Sequence, residues 1–359
     1  MPFSEVLAQE RATGSLQAAL RRGTVHHAYL FGGPPGVGKA TAARLLAQAV
    51  NCEAGAEGAG GLREDPCGQC GPCRKIARGT HPDVLAMAEE RVMAKAGRWE
   101  PKGGRSPSRE IVVDQVRDLV DRRLSLRRFE GRRRVVVIDP ADAMNVQAQN
   151  ALLKTLEEPP DETTLVLVSA SPDALLPTIR SRCLRVTFGP LPDALVAERL
   201  EAAGRSPEQA AATAALAGGS LGRALALDGD EVAAVTRSLQ AAAALRPDQP
   251  LGWLAFARSL GRTTATGEES EDGSDREQVA EVGEALLGWW RDVLAVQAGS
   301  AQLALPALAE STRRVAATLS PAEALRRRAG VERLLGALRQ NAAGPLALER
   351  LLIGWFHGR

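Results

Sequence analysis

The stretch HAYLFGGPPGVGKATAARLLAQAVN, residues 27–51, decides the fold. It opens on a short apolar run that reads as a buried strand, turns through Gly and Pro, and closes on an Ala- and Leu-rich helix. Gly33, Gly38 and Lys39 stand at the spacing of G-x-x-x-x-G-K, with Gly36 between them. The strand–loop–helix context gives that string its meaning. Backbone N–H groups and the helix N-terminus face phosphate oxygens, and the lysine reaches the outer phosphates. The pattern continues with Ser or Thr, whose hydroxyl holds Mg²⁺. Here the residue is Ala40. Thr41 comes one position late, turned by about 100° around the helix from the required direction.

Outward from this unit, strands and helices alternate. DVLAMA (83–88), RRRVVVID (132–139), TLVLVSA (164–170) and LRVTF (184–188) read as four further strands. An amphipathic helix is expected from Ser4 to about Arg21, and others over 110–126 and 148–159, the last stopped by Pro159 and Pro160. The alternation implies a parallel sheet covered on both faces. Residues 89–109 are rich in Gly, Lys and Arg without periodicity and read as an exposed loop. In an ATP-hydrolysing site the strand VVVID would end on an Asp that helps hold Mg²⁺, followed by an acid that polarises water. Asp139 is present, but Pro140 follows it, and Asp142 lies three residues on. Two separate parts of the hydrolytic apparatus are altered together. The expectation is a site that keeps the shape of a nucleotide cradle without cleaving nucleotide.

Composition changes at GPLP (189–192), after which only helices are expected, with a small unit ending near AGGSLGRALAL (217–227). The polar acidic stretch TTATGEESEDGSD (263–275) interrupts the larger unit that follows and is too poor in apolar residues to pack. GWWRDVL (288–294) and IGWF (353–356) read as packing anchors of the core or of a subunit interface. The domains expected are therefore 1–188, 189–230 and 231–359. With 359 residues, 45% hydrophobic, 25% charged and a net charge of +2, the composition is that of a soluble protein and argues neither for nor against nucleic acid. There is no signal-peptide h-region and no run of about 18 apolar residues, so a cytoplasmic location is expected.

Four of the five cysteines fall between positions 52 and 73. Cys52 ends the loop-following helix, and CGQCGPC supplies Cys67, Cys70 and Cys73 at two consecutive C-x₂-C steps. Four thiolates so spaced suit tetrahedral Zn²⁺, and with every position filled the ion's role is structural. An iron–sulfur cluster is the rival, although no redox partner motif accompanies it. SRC (181–183) places Arg182 after the fourth strand, either as a surface cation or as a finger reaching a neighbour's γ-phosphate. Arginines crowd positions 117–134, either as a solvated face or as a track along phosphates. Phe129 is the one aromatic among them, too little for base readout.

HAYLFGGPPGVGK, the four-cysteine insert after AVNCE, NALLKTLEEPP and SRC together resemble the bacterial DNA polymerase III clamp-loader subunits over nearly all of the first 190 residues. The resemblance implies an α/β AAA+ P-loop core with a zinc module at about 52–73, a small helical lid, and an all-α collar that assembles a hetero-oligomer. It puts Ser169 at the first sensor position and Arg223 at the lid's sensor arginine, one residue off the motor spacing. The family's motor subunits, gamma/tau, end their P-loop in Thr and carry an Asp-Glu pair. With Ala40 and Pro140, this chain looks instead like the delta-prime type, a stator that does not hydrolyse ATP, with Arg182 serving the ATP of an adjacent motor subunit. The implied partners are the gamma/tau and delta subunits and, through the assembly, the sliding clamp and primed DNA. No membrane is involved, and the setting is a DNA-directed DNA polymerase (nucleotidyltransferase) holoenzyme. Structural Zn²⁺ is implied, and ATP or ADP is not required. Two other readings stay open: a gamma/tau-like motor ATPase using Thr41, and a zinc-dependent DNA-binding module.

Overall fold

The computed structural model describes residues 2–54, 62–246, 248–260, 274–339 and 342–357. The chain divides into two compact units, Met1–Pro190 and Leu191–Arg359.

In the first unit five parallel strands form one sheet: β1 Ala28–Gly32, β2 Val84–Met87, β3 Arg134–Ile138, β4 Thr163–Ser169 and β5 Leu184–Thr187, in the order β2-β3-β4-β1-β5. Every residue of β1 and β4 is buried, whereas the edge strands β2 and β5 are largely half-exposed or exposed. Continuous apolar runs therefore mark the central strands, as a sheet covered on both faces demands. Alternate side chains separate the faces. Ala28 and Leu30 join a core with Val136, Ile138, Leu165 and Leu167. Phe31, on the other face, packs on Phe188 with ring centroids 5.3 Å apart.

The helices around this sheet are α1 Glu10–Arg22, α2 Lys39–Asn51, α3 Gly71–Ala77, α4 Glu90–Lys95, α5 Val113–Arg117, α6 Val146–Glu157 and α7 Pro177–Arg180. The first of them starts later than Ser4. Phe3–Glu5 forms only a 3₁₀ turn with Phe3 buried, and Ala8 has φ of 51°, which a continuous helix excludes. The helix expected over 110–126 is α-helical only for Val113–Arg117 and continues as π-helical turns over Asp118–Leu124. The Asn145 side chain caps α6 by accepting from the Ala148 N–H at 2.9 Å.

Residues 89–109 are largely exposed, as expected, but they are not an irregular loop throughout. They contain α4 and wrap around Glu90, whose carboxylate is fully buried. It accepts from Trp99 Nε1 (3.0 Å), Arg105 Nη1 and Nη2 (2.6 and 2.7 Å) and the Ser108 N–H (2.8 Å).

In the second unit all the regular structure described is helical: α8 Asp193–Ala202, α9 Pro207–Ala217, α10 Leu221–Ala226, α11 Gly229–Ala244, α12 Pro250–Ser259, α13 Ser274–Gln297, α14 Ala309–Thr318, α15 Pro321–Arg339 and α16 Gly344–His357, with one 3₁₀ turn at Pro306–Leu308. Trp289, Trp290 and Trp355 are core anchors, as their sequence context suggested. Trp290 lies between the other two at 5.0 and 5.4 Å between centroids, and Trp289 Nε1 donates to Thr312 Oγ1 at 3.0 Å. Of the acidic stretch, residues 263–273 lie outside the described residues. No helix among the described residues is long and apolar enough to cross a membrane.

Candidate nucleotide cradle and metal site

The Gly-rich loop joins β1 to α2, and Gly38, with φ of 101°, is the residue from which α2 departs. Lys39 is buried, and its Nζ donates to the carbonyls of Gly33 (2.6 Å) and Pro34 (2.5 Å). The ammonium thus closes the loop on itself. Burial pushes the Lys39 pKa down, and Asp139 and Asp142 oppose that shift. Burial likewise raises the Asp139 carboxyl, with Lys39 pulling the other way. Asp139 stands at the end of β3, next to β4 in the sheet. Ser169 ends β4 beside β1, where its carbonyl accepts from the Gly33 N–H at 3.3 Å. Asp142 Oδ1 accepts from the Ala170 N–H at 3.2 Å. The sheet therefore gathers the loop, Lys39, Asp139 and Ser169 around one edge. Ala40 is exposed and brings no oxygen, and Pro140 brings no acid.

Cys52 caps the C-terminus of α2, and Cys70 and Cys73 begin α3. Gln48 of α2 holds α3 in place by donating to the Cys73 carbonyl at 2.7 Å. The four sulfurs of Cys52, Cys67, Cys70 and Cys73 lie within 4.8 Å of one another, with Cys67–Cys73 and Cys52–Cys70 at 4.0 Å. A tetrahedral site with metal–sulfur bonds of about 2.3 Å needs sulfurs about 3.8 Å apart, so the set fits a metal ion. Backbone N–H groups already point at sulfur: Cys67 N at Cys52 Sγ (3.5 Å), and Gln69 N and Cys70 N at Cys67 Sγ (3.4 and 3.3 Å). Burial opposes ionisation of Cys67, but the Cys70 and Gln69 donors outweigh it and bring its pKa to about 6. Cys73, deeper and beside other sulfurs, is pushed up. The fifth cysteine, Cys183, takes no part in this cluster.

Arg182 pairs with Glu157 Oε1 at 2.6 Å and donates to the Thr178 carbonyl at 2.9 Å. Arg223 lies in the second unit, where its Nη2 donates to the Glu281 carbonyl at 2.9 Å. The Arg-rich segment divides in two. Arg134 is buried and Arg133 is held by Glu162, the Val25 carbonyl and Thr164, while Arg122, Arg123, Arg127, Arg128 and Arg132 are exposed. Asp83 and Glu90, read from the sequence only as parts of a strand and a loop, are the buried acids that shape the loops beside the sheet.

Residues 8–192 match the family model described as DNA polymerase III, delta subunit. The chain belongs to this family. It is 44% identical over 168 residues to DNA polymerase III subunit delta' of Pseudomonas aeruginosa, an alignment covering 47% of this chain and 44% of that protein. It is 36% identical over 183 residues to subunit tau of Escherichia coli, covering 51% of this chain and 25% of that protein. The chain thus spans less than half the length of each of these relatives. Among solved structures, a DNA polymerase III gamma subunit-related protein of Thermotoga maritima aligns over 97% of this chain and 99% of its own, at 16% identity and a TM-score of 0.37. The family membership agrees with the resemblance read from the sequence, and the α/β P-loop core with its five parallel strands is the one expected there.

Proposed function

We propose that this chain is the delta-prime-type stator of a cytoplasmic DNA polymerase III clamp loader. In this reading it assembles with gamma/tau and delta subunits and helps an ATP-driven complex place the sliding clamp on primed DNA. It does not itself turn over ATP. Its AAA+ core is followed by a lid over 189–230 and a collar over 231–359. One observation carries the reading: in an otherwise complete cradle, residue 40 has no hydroxyl and residue 140 has no acid, while Lys39 is satisfied by the loop's own carbonyls. Gly33, Gly36, Gly38, Lys39, Ala40, Thr41, Asp139, Ser169 and Arg223 are then remnants of a nucleotide site that can hold ATP or ADP without needing it. Arg182, held by the partly exposed Glu157 carboxylate and the Thr178 carbonyl, exchanges Glu157 for the γ-phosphate of a neighbour's ATP. The metal of the four-cysteine cluster is Zn²⁺, for which a closed all-thiolate shell is the ordinary structural site.

The likeness to tau at 36% identity favours a second reading, a motor ATPase. Phosphate release by the purified chain separates the two. The stator reading expects none above background, and none is recovered by Thr41 as it stands. Steady turnover by the unmodified chain, abolished by Lys39→Ala, would establish the motor instead. Ala40→Ser with Pro140→Glu serves as the gain-of-function arm.

A further inference from the structure

Strand β2 lies at one edge of the sheet, with β3 on one side and no strand on the other. The ladder fixes which backbone groups look outward. The Asp83 and Met87 carbonyls accept from the Val135 and Asp139 N–H groups, each at 2.9 Å. Odd-numbered residues therefore face β3, and the backbone groups of Val84 and Ala86 point away from it. The Val84 N–H turns back to the His81 carbonyl at 3.1 Å, and the Ala86 carbonyl receives Arg98 Nη2 at a long 3.5 Å. The Ala86 N–H and the Val84 carbonyl have no hydrogen bond among the described residues, and Ala86 is exposed.

Beside this open edge lies a cavity of about 410 Å³, lined by apolar Met87, Leu119 and Val136 and by Met93 and Trp99. Met87 belongs to the face of the sheet that also carries Val136 and Ile138, so a strand added beyond β2 continues that row. Alternate side chains of such a strand would fall into the cavity. Its wall is already set, because Trp99 Nε1 donates to the buried Glu90 carboxylate at 3.0 Å. Arg98 and Arg123 also line the cavity, both are exposed, and neither has a carboxylate partner among the described residues. Asp118, the acid among the lining residues, is taken by Arg122 at 3.4 Å.

We propose that β2 is a strand-addition site for an extended segment of another protein, one that sets an acidic side chain beside a large apolar one. The Ala86 N–H and the Val84 carbonyl bond its main chain, the apolar side chain fills the cavity, and the carboxylate pairs with Arg98 and Arg123. Arg98 gives up only its long contact to the Ala86 carbonyl. A second copy of this chain is the wrong occupant. Two β2 edges laid together bring Arg98 and Arg123 of both copies to one place, and like charges there repel. The charges that keep the edge from pairing with itself are the ones that admit an acidic strand. The site does not depend on the clamp-loader reading.

The purified full chain is titrated with a short fluorescent peptide that alternates Ile with Glu, and with its counterpart carrying Lys in place of Glu. The acidic peptide should bind at least ~10-fold more tightly than the basic one, and amide exchange at Ala86 should slow in its presence. Ala86→Pro deletes the outward donor at an edge position where proline is tolerated, and should weaken the acidic peptide at least ~10-fold. Arg98→Glu with Arg123→Glu changes two exposed side chains, so melting should stay as in the parent while the preference turns to the basic peptide. If Ala86→Pro melts early, the charge-reversed variant decides alone. An acidic peptide that binds no better than the basic one overturns the proposal, and so does binding that the charge reversal leaves unchanged. A dimer in sedimentation that Ala86→Pro dissociates also overturns it, and assigns the edge to a second copy of the chain.

Discussion

Stripping the metal from Cys52, Cys67, Cys70 and Cys73 should soften one corner of the first unit and leave its sheet folded. The sulfurs are already within 4.8 Å of one another, and two pairs are at 4.0 Å against the roughly 3.8 Å of a closed tetrahedral zinc site. Closing the shell therefore asks each sulfur to move by about half an ångström or less, and little binding energy is lost to reorganisation. By linkage, free zinc at about a thousand times its Kd stabilises the state that binds it by about 4 kcal/mol. For a unit of this size each kcal/mol moves the midpoint by roughly 2–4 °C, so removal should lower Tm by roughly 8–16 °C. With the ion gone, the Cys73 thiol, pushed up by burial, takes back a proton at neutral pH. The third helix keeps its Gln48 tether, and Ile76 stays buried, so the loss is local. The assay counts zinc released into a colorimetric chelator, then follows melting and amide exchange over residues 62–78. One equivalent of zinc removed with Tm shifted by under about 2 °C would refute the structural role. Iron in place of zinc, with the visible absorption of a cluster, would refute the metal assignment.

Three further outcomes follow from particular side chains. Arg182→Ala should leave folding and assembly unchanged, because the Glu157 pair is a partly exposed ion pair worth at most about 1 kcal/mol, yet DNA-stimulated ATPase of a reconstituted loader should fall; an unchanged rate rejects the finger. Glu90→Ala orphans the Trp99 and Ser108 N–H donors while half-exposed Arg105 rehydrates, so urea unfolding should show a loss of about 2–3 kcal/mol, and a loss below about 0.5 contradicts the organising role given to Glu90. Burial would raise the Asp83 pKa, but the N–H donors of Gly131, Glu130 and Phe129 and the charge of Arg134 hold it below the ordinary 3.8. Asp83 therefore contributes stability that is present above that value and lost as pH falls through the lower folded one; Asp83→Asn should flatten this acid limb of a Tm-against-pH curve between about pH 2 and 5, and an unchanged limb assigns the acid sensitivity elsewhere.

The strands were legible because a central parallel strand must be apolar on both faces, and β1, β3 and β4 read as unbroken apolar runs. The cysteine cluster was legible for a similar reason: C-x₂-C spacing is itself a statement of coordination geometry. What escaped was non-local. Glu90 finds its charge partner fifteen residues on, so a segment whose composition looks solvated folds around one buried carboxylate. Arg133 and Arg134 sit among exposed arginines and share their composition, but the start of β3 turns Arg134 inward to Asp83 and ties Arg133 to the far side of the sheet. Phe129 shows the limit from the other direction. A lone Phe is ordinarily core, and nothing in its neighbours' identity says that three N–H groups bonded to Asp83 pin the loop with the ring outside.

The cradle's glycine and lysine have structural duties of their own. A Cβ at Gly33 would stand 2.2 Å from the carbonyl oxygen of Phe188, the residue just beyond β5. Glycine is required there by the approach of two backbones, whether or not a phosphate is ever bound. Lys39 is similarly committed, since its ammonium satisfies the Gly33 and Pro34 carbonyls inside a buried turn and offsets Asp139. Removing it would leave those acceptors and a half-buried carboxylate without their cation. Position 40 carries no such duty. Ala40 faces solvent. Packing therefore holds the parts of the motif that shape the sheet's edge, and leaves unprotected position 40, where hydrolysis alone would require an oxygen. A loop under both constraints drifts first where only the chemistry was holding it.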